Sequence, residues 1–191
     1  GLLWRGDFQN AKNLLQAIAR RIDHKSKRAK KVEKENDTPL ETFHKHRQQQ
    51  AQRARVLNML LIEVDADFHI PLRRAPDIKQ ACLEAYGEQA NTFVTSLREL
   101  LGIIGAHEWR KNGVFIAALQ AKIHPYYGIF SPVRGEYLEL IANAPLPSTQ
   151  LAFDIGTGSG VIAALLAKRG VNKIIATDLE ARALSCAAEN A

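Results

Sequence analysis

Apolar residues recur at helical spacing through much of the first half of the chain. Three stripes of this kind are Leu14, Leu15, Ile18 and Ile22; Val56, Leu57, Leu60, Leu61 and Val64; and Phe93, Val94, Leu97, Leu100, Leu101 and Ile104. Residues three or four apart lie on one face of a helix, so each stripe predicts a helix with one buried side. A shorter helix is expected between Asp77 and Tyr86, after the interruptions at Pro71 and Pro76. The pattern predicts a helical N-terminal domain over residues 1–112.

The apolar pattern changes in residues 113–147, which we interpret as a connector. Residues 113–119 fit either a strand or a short apolar helix. A small extended segment or hairpin is expected next, followed by a helix over about residues 135–142. Bulky aromatic side chains in this connector either form a wall of the site that follows or pack an interdomain hinge.

From residue 148 onwards the pattern predicts a strand, a tight turn and a helix. An apolar run over 151–155 enters three alternating glycines, and an apolar helical stripe leaves them at Val161. Alternating glycines permit backbone conformations that side chains disfavour and allow a ligand to approach the main chain. The first amides of the following helix have no partner within it, so they point towards the loop. A second apolar run over 173–177 ends in Asp178, 20 residues beyond Gly158, where an acidic residue reaches the ribose in nucleotide-binding βαβ units.

Two classes of nucleotide cofactor use this arrangement. The dinucleotide fingerprint Gly-x-Gly-x-x-Gly requires a glycine three residues after Gly158, where this chain has Val161. Asp154 also stands two residues before the first glycine, where its carboxylate would repel a pyrophosphate but attract an ammonium group. An NAD(P)-binding oxidoreductase therefore remains only as an alternative.

The pattern Asp154-x-Gly156-x-Gly158-x-Gly160 resembles the first motif of class I S-adenosylmethionine-dependent methyltransferases. The resemblance implies that S-adenosylmethionine is the cofactor. It also implies an α/β fold, in which the helical domain precedes the first βαβα portion of a Rossmann-like sheet, from residue 148. The candidate cofactor-binding residues are Asp154, Gly156, Gly158 and Gly160 at the methionine end, Thr157 in the same loop, and Asp178 at the ribose.

The connector narrows this resemblance to the release-factor glutamine methyltransferase (HemK-like) group. Pro132, Arg134 and Glu136 stand in the order that those enzymes show, although the intervening residues differ. Residues 176–184 also resemble the second motif of the group. A family of this kind implies methylation of an amide or amino nitrogen in a protein or a nucleic acid.

Several features of a complete methyltransferase are missing from the sequence. The resemblance implies seven strands, of which two are predicted here, and relatives that methylate planar amines carry an Asn-Pro-Pro-Tyr-like motif that is absent. We therefore expect the chain to be part of a longer protein and to be inactive alone. No catalytic residue is assigned. No metal site is predicted, because His44 and His46 face different sides of a helix and the two cysteines are too few.

Charge is distributed unevenly along the chain. Residues 1–120 carry 20 Lys and Arg against 14 Asp and Glu, whereas residues 121–191 carry six of each, so the formal charge of +6 belongs to the first part. Eight of these basic residues lie within 20–34, a run typical of a solvated helix end or loop, or else of a site for an acidic surface. The expected acceptor is thus an acidic macromolecule, either a protein such as a translation factor or RNA. A basic RNA-binding module attached to a degenerate methyltransferase domain is a further alternative.

The composition agrees with a globular protein in a reducing compartment. Of 191 residues, 46% are hydrophobic, and no apolar run approaches the roughly 20 residues of a membrane-spanning helix. Two cysteines do not make a disulfide framework. A cytoplasmic location without membrane partners is predicted.

Overall fold

The computed structural model describes residues 6–32, 38–132 and 135–191, without the side chains of residues 25–32. The chain divides into two compact units, Gly1–Lys79 with Glu88–Gly102, and Gln80–Gly87 with Ile103–Ala191. The domain boundaries expected after residues 112 and 147 stay predictions. Most of the basic run 20–34 and Arg134 of the connector motif lie outside the described side chains.

Helices and short strands alternate through the described ranges. In chain order they are α1 (Phe8–Val32), α2 (Pro39–Leu57), β1 (Leu61–Val64), α3 (Lys79–Tyr86), β2 (Phe93–Ser96), α4 (Leu97–Asn112), β3 (Val114–Ile116), β4 (Ala121–Ile123), α5 (Glu136–Asn143), β5 (Ala152–Ile155), α6 (Val161–Lys168), β6 (Ile174–Thr177) and α7 (Ala181–Asn190). In these ranges no helix is both long and apolar enough to cross a membrane. The predicted mixture of helix and strand is confirmed, including the short helix α3.

The prediction of a wholly helical first part is wrong in one region. Helix α2 ends at Leu57, and residues 61–64 form strand β1, which pairs antiparallel with β2. Ile62 and Val64 are buried, whereas Leu61 is exposed, which is the alternation of a strand with one covered face. Four residues are too few to distinguish this alternation from a helical stripe, so the second and third stripes each merged a strand with a helix.

Polar contacts hold segments of the first unit together, in addition to its apolar core. Asp7, which is buried, accepts a hydrogen bond from the backbone N–H of Asn10 and forms an ion pair with Arg74. Half-buried Arg53 on α2 pairs with Asp23 on α1 through two hydrogen bonds of 2.8 and 3.2 Å. The two long helices are thereby joined on the side where they face each other.

The connector of the second unit begins with a hairpin. Strands β3 and β4 pair antiparallel, so the strand alternative is confirmed for Val114–Ile116 of the segment 113–119. The hairpin therefore begins within this segment, earlier than expected. Ile116 and Ile123 of this hairpin share a buried cluster with Leu138 of α5 and Val161 of α6. The expected helix near residues 135–142 is confirmed as α5.

The end of the second unit has the predicted order of strand, loop, helix and strand. Strands β5 and β6 are parallel, with Asp154 opposite Ala176, and α6 crosses between them. Asp154 is buried on the side that α6 covers, because alternate residues of a strand point to opposite faces. Phe153 and Ile155 lie on the other face, where they are 59% and 75% exposed.

Candidate cofactor-binding site

Asp154 ties the end of strand β5 to the start of helix α6. Its carboxylate oxygen Oδ2 accepts hydrogen bonds from the hydroxyl of Thr157 at 2.7 Å and from the backbone N–H of Ala163 at 3.1 Å. The N-cap residue of α6 is Gly160, which has no side chain to cap the helix. Asp154 performs that capping from the neighbouring strand, and a carboxylate at this position also complements the helix dipole.

The same geometry changes what the glycine loop can bind. In dinucleotide-binding folds the pyrophosphate lies at the N-terminus of this helix, held by the free amides there. Here a buried carboxylate of the protein already occupies part of that position. Val161, where the dinucleotide fingerprint has its third glycine, is 3% exposed and belongs to the apolar cluster of α5 and the hairpin. Both features disfavour a pyrophosphate.

Asp178 lies at the end of strand β6 and joins it to the glycine loop. Its Oδ2 accepts the backbone N–H of Gly158 at 2.9 Å, and its Oδ1 accepts the N–H of Glu180 at 3.1 Å. The N–H groups of Glu180 and Gly158 hold the pKa of the Asp178 carboxyl below its usual value, because they stabilise its charged form. The carboxylate is therefore ionised at neutral pH and held at the edge of the loop.

Two of the loop glycines have different surroundings. A Cβ on Gly160 (φ +82°) would lie 2.9 Å from the Cα of Ala187, so helix α7 packs directly against the loop at this residue. Gly156 has a similar φ of +79°, but a Cβ there would meet nothing within 4 Å. Gly160 thus allows helix α7 to pack closely against the loop, whereas Gly156 leaves its backbone open to a ligand.

Helix α7 and the connector hold the loop through residues that the sequence did not single out. The side-chain NH₂ of Asn190 donates to the carbonyl of Ser159 at 3.0 Å, and its Oδ1 accepts the N–H of His124 at 2.7 Å. The carbonyl of Phe130 accepts the N–H of Ser159 at 3.2 Å. A lone asparagine at a helix end and a main-chain carbonyl carry no sequence pattern, so only the fold identifies them.

The aromatic residues of the connector have two kinds of environment. Phe130, which is 70% exposed, lies with its backbone against Gly158 of the loop. Tyr126 instead donates a hydrogen bond to Glu189 of α7. The guanidinium carbon of Arg110 lies over the Tyr126 ring, 4.2 Å from the ring centroid. Phe130 therefore lies beside the glycine loop, whereas Tyr126 contacts both α7 and α4.

No covalent or metal chemistry is evident in the described ranges. There, no three residues among His, Cys, Asp and Glu converge to hold a metal ion. Burial raises the pKa of the Cys82 thiol to about 11 and also raises that of Cys186, so both are poor nucleophiles at neutral pH. The polar groups described at the loop are main-chain groups and the carboxylates of Asp154 and Asp178.

The similarity to known proteins covers this same site. Residues 137–191 match the family model of ribosomal protein L11 methyltransferase (PrmA), a segment that includes all of α5 after its first residue, the glycine loop and Asp178. No curated protein and no solved structure matches the chain significantly. The partial family match supports a relationship of this segment to S-adenosylmethionine-dependent methyltransferases.

Proposed function

We propose that the chain binds S-adenosylmethionine at the loop between β5 and α6, as part of a methyltransferase that acts on an amide or amino nitrogen. The observation that carries the proposal is the pair of carboxylates at adjacent strand ends. Asp154 caps α6 from within, and Asp178 is held beside the loop by the N–H of Gly158. Residues 148–191 would be the start of the cofactor domain, with 113–147 as its connector.

Each part of this cofactor has a suitable group on the loop. The partly exposed carboxylate of Asp178 keeps acceptor capacity for the two ribose hydroxyls, since an ionised carboxylate has about four lone-pair sites. The open backbone at Gly156 suits the methionine end. Asp154 is only 5% exposed, so its contribution is to fix the loop and to place a negative charge beneath the ammonium group.

Methyl transfer would require little from the loop residues beyond binding the cofactor. The cofactor supplies an activated methyl group on a sulfonium, and the protein contributes mainly by aligning donor and acceptor and by excluding water. Main-chain amides and two oriented carboxylates are sufficient for the donor half of such a site. The acceptor half, and with it any catalytic residue, is not assigned.

An NAD(P)-binding oxidoreductase is the competing function, and the geometry of the loop disfavours it. The helix N-terminus that would receive a pyrophosphate is capped by Asp154, and Val161 fills the position of the packing glycine. A degenerate methyltransferase domain attached to a basic RNA-binding module is not supported by the loop, in which both carboxylates keep their partners.

For the acceptor we propose an acidic macromolecule, recognised by the basic residues 1–112. The name of the matched family refers to a ribosomal protein as its substrate, and the connector pattern resembles the HemK-like enzymes, which act on release factors. Both resemblances favour a protein of the translation apparatus over RNA. With such an acceptor we also propose a cytoplasmic location.

Calorimetric titration of the full-length protein with S-adenosylhomocysteine and, separately, with NAD tests the cofactor. We expect S-adenosylhomocysteine to bind and NAD to bind much more weakly, because the protein's own carboxylate occupies the place of the pyrophosphate. Tighter binding of NAD would refute the methyltransferase proposal.

A further inference from the structure

Ser131, in the connector between β4 and α5, carries a buried hydroxyl that lacks a hydrogen-bond partner. Its Oγ is shielded from solvent and has no partner among the described residues, although the residue as a whole is only half-buried. A buried hydroxyl without a partner costs free energy, and such groups in native proteins are normally completed by a ligand or by an ordered water. The hydroxyl of Ser131 therefore marks a position at which a hydrogen-bonding group is expected.

Ser131 directly follows the residue by which the connector contacts the glycine loop. The carbonyl oxygen of Phe130 accepts the N–H of Ser159 at 3.2 Å. The same oxygen lies 3.1 Å from the position that a Cβ on Gly158 would take. Because this carbonyl belongs to the planar peptide group that joins Phe130 to Ser131, the backbone of Ser131 also lies beside the loop.

The main-chain N–H groups of the glycine loop are already engaged by the chain itself. All five from Gly156 to Gly160 donate to oxygens of the protein at 2.8 to 3.2 Å. Their acceptors are the carbonyls of Thr177, which receives two, of Phe130 and of Thr157, and the carboxylate of Asp178. An anionic ligand group would therefore have to share one of these donors. At the start of α6 the carboxylate of Asp154 disfavours an anion, because like charges repel.

The cofactor proposed for this loop has one group that the two carboxylates of the site cannot bind. An ionised carboxylate only accepts hydrogen bonds, so Asp154 and Asp178 suit an ammonium group and ribose hydroxyls. The methionine end of S-adenosylmethionine also carries a carboxylate, which requires donors. A serine hydroxyl supplies one donor, and a hydrogen bond to a charged acceptor is stronger than one to a neutral acceptor.

We propose that the hydroxyl of Ser131 donates a hydrogen bond to the carboxylate at the methionine end of S-adenosylmethionine. This inference rests on the proposed function and adds a residue of the connector to a site otherwise formed by the glycine loop and the end of β6. The hydroxyl makes the site selective for a ligand that carries the whole amino-acid group rather than an amine alone. Binding of the cofactor also removes the cost of the unpartnered hydroxyl.

Calorimetric titration of the full-length protein with two ligands tests this contact. One ligand is S-adenosylhomocysteine, and the other is its decarboxylated analogue, in which a hydrogen atom replaces the carboxylate and the amine is kept. Ser131→Ala should weaken S-adenosylhomocysteine about tenfold or more, since a hydrogen bond to a charged group is worth at least that factor. The variant should bind the decarboxylated analogue as tightly as the unaltered protein does, because the group that the hydroxyl contacts is absent from it.

Thermal unfolding without ligand provides a second readout. Ser131→Ala removes a hydroxyl that has no partner, so the melting temperature should stay the same or rise. The matched control is Ser185→Ala on α7, where the exposed residue donates its hydroxyl hydrogen bond to the carbonyl of Ala181 at 3.2 Å. This control should leave the affinity for both ligands unchanged.

The outcomes separate this contact from the cofactor proposal. Failure of S-adenosylhomocysteine to bind the unaltered protein overturns both. Binding of S-adenosylhomocysteine that Ser131→Ala leaves unchanged overturns the Ser131 contact alone and identifies an ordered water as the partner of the hydroxyl. Equal weakening of the two ligands by Ser131→Ala also overturns the contact, because the effect would then not depend on the carboxylate.

Discussion

Replacing Gly160 by alanine tests whether helix α7 truly packs on the glycine loop. The new Cβ would lie 2.9 Å from the Cα, 3.0 Å from the Cβ and 3.2 Å from the carbonyl oxygen of Ala187. Two of these three atoms are backbone, so α7 itself must move to make room. Gly160 also has φ +82°, a conformation that alanine disfavours.

The cost can be divided into two contributions with a matched control. A left-handed backbone costs a residue with a Cβ about 1–2 kcal/mol, and overpacking of a close contact costs about a further 1–3 kcal/mol. Gly170 has φ +83° with nothing within 4 Å of an added Cβ, so Gly170→Ala has only the first contribution. Gly160→Ala should therefore lower the free energy of unfolding by roughly 2–5 kcal/mol, and Gly170→Ala by about 1–2 kcal/mol.

Urea denaturation followed by far-ultraviolet circular dichroism measures both values. The difference between the two variants isolates the steric contact with α7, because the backbone contribution is shared. Equal destabilisation of the two variants would mean that α7 does not lie against the loop, and the positions assigned to Asn190 and Ala187 would then be wrong.

Three further substitutions concern the cofactor loop itself. Asp178→Ala should weaken binding of S-adenosylhomocysteine about ten- to a hundredfold in calorimetry, whereas Glu180→Ala, which leaves the backbone donor to Asp178 intact, should not. Because the pKa of Asp178 is lowered, this contribution to affinity persists at neutral pH and is lost only in acid, as the pH falls through that depressed pKa. Asp154→Ala should lower the free energy of unfolding by about 2–4 kcal/mol, since it removes the cap of α6 and leaves the hydroxyl of Thr157 without its acceptor; Asp154→Asn, which keeps an acceptor oxygen, should cost less. Gly156→Ala places a Cβ in the open approach to the loop and should weaken the cofactor about tenfold, while Gly170→Ala leaves affinity unchanged.

The sequence predicted the second unit better than the first for a physical reason. The strand, loop, helix and strand around residues 151–178 are signalled locally, by apolar runs that alternating glycines interrupt. Strands β1 and β2 have only four residues each, and their apolar residues were assigned to the neighbouring helical stripes. Short strands are specified by their pairing partner, which is distant in sequence and does not appear in a local pattern.

Some residues of the candidate site could likewise be predicted from local sequence spacing, whereas others depend on contacts between segments distant in sequence. The glycine spacing and the position of Asp178 could be predicted, and the structure brings Gly158 and Asp178 within hydrogen-bonding distance. The prediction for Asp154 considered its charge but not its role as a helix cap, because a glycine at the N-cap does not indicate which group replaces its side chain. The contacts of Ala187 and Asn190 depend on how α7 folds back, which no spacing reveals.

The outward face of the β5–β6 pair has a consequence for handling the chain in solution. Parallel strands in folded proteins are normally covered by apolar side chains on both faces. Phe153 and Ile155 are largely exposed on theirs, so a preparation in which nothing covers them should self-associate as its concentration rises. Threonine at both positions retains a strand-favouring side chain and leaves Asp154, on the opposite face, undisturbed. Self-association could thus be reduced without changing the contacts of Asp154, because the two sets of side chains lie on opposite faces of one four-residue strand.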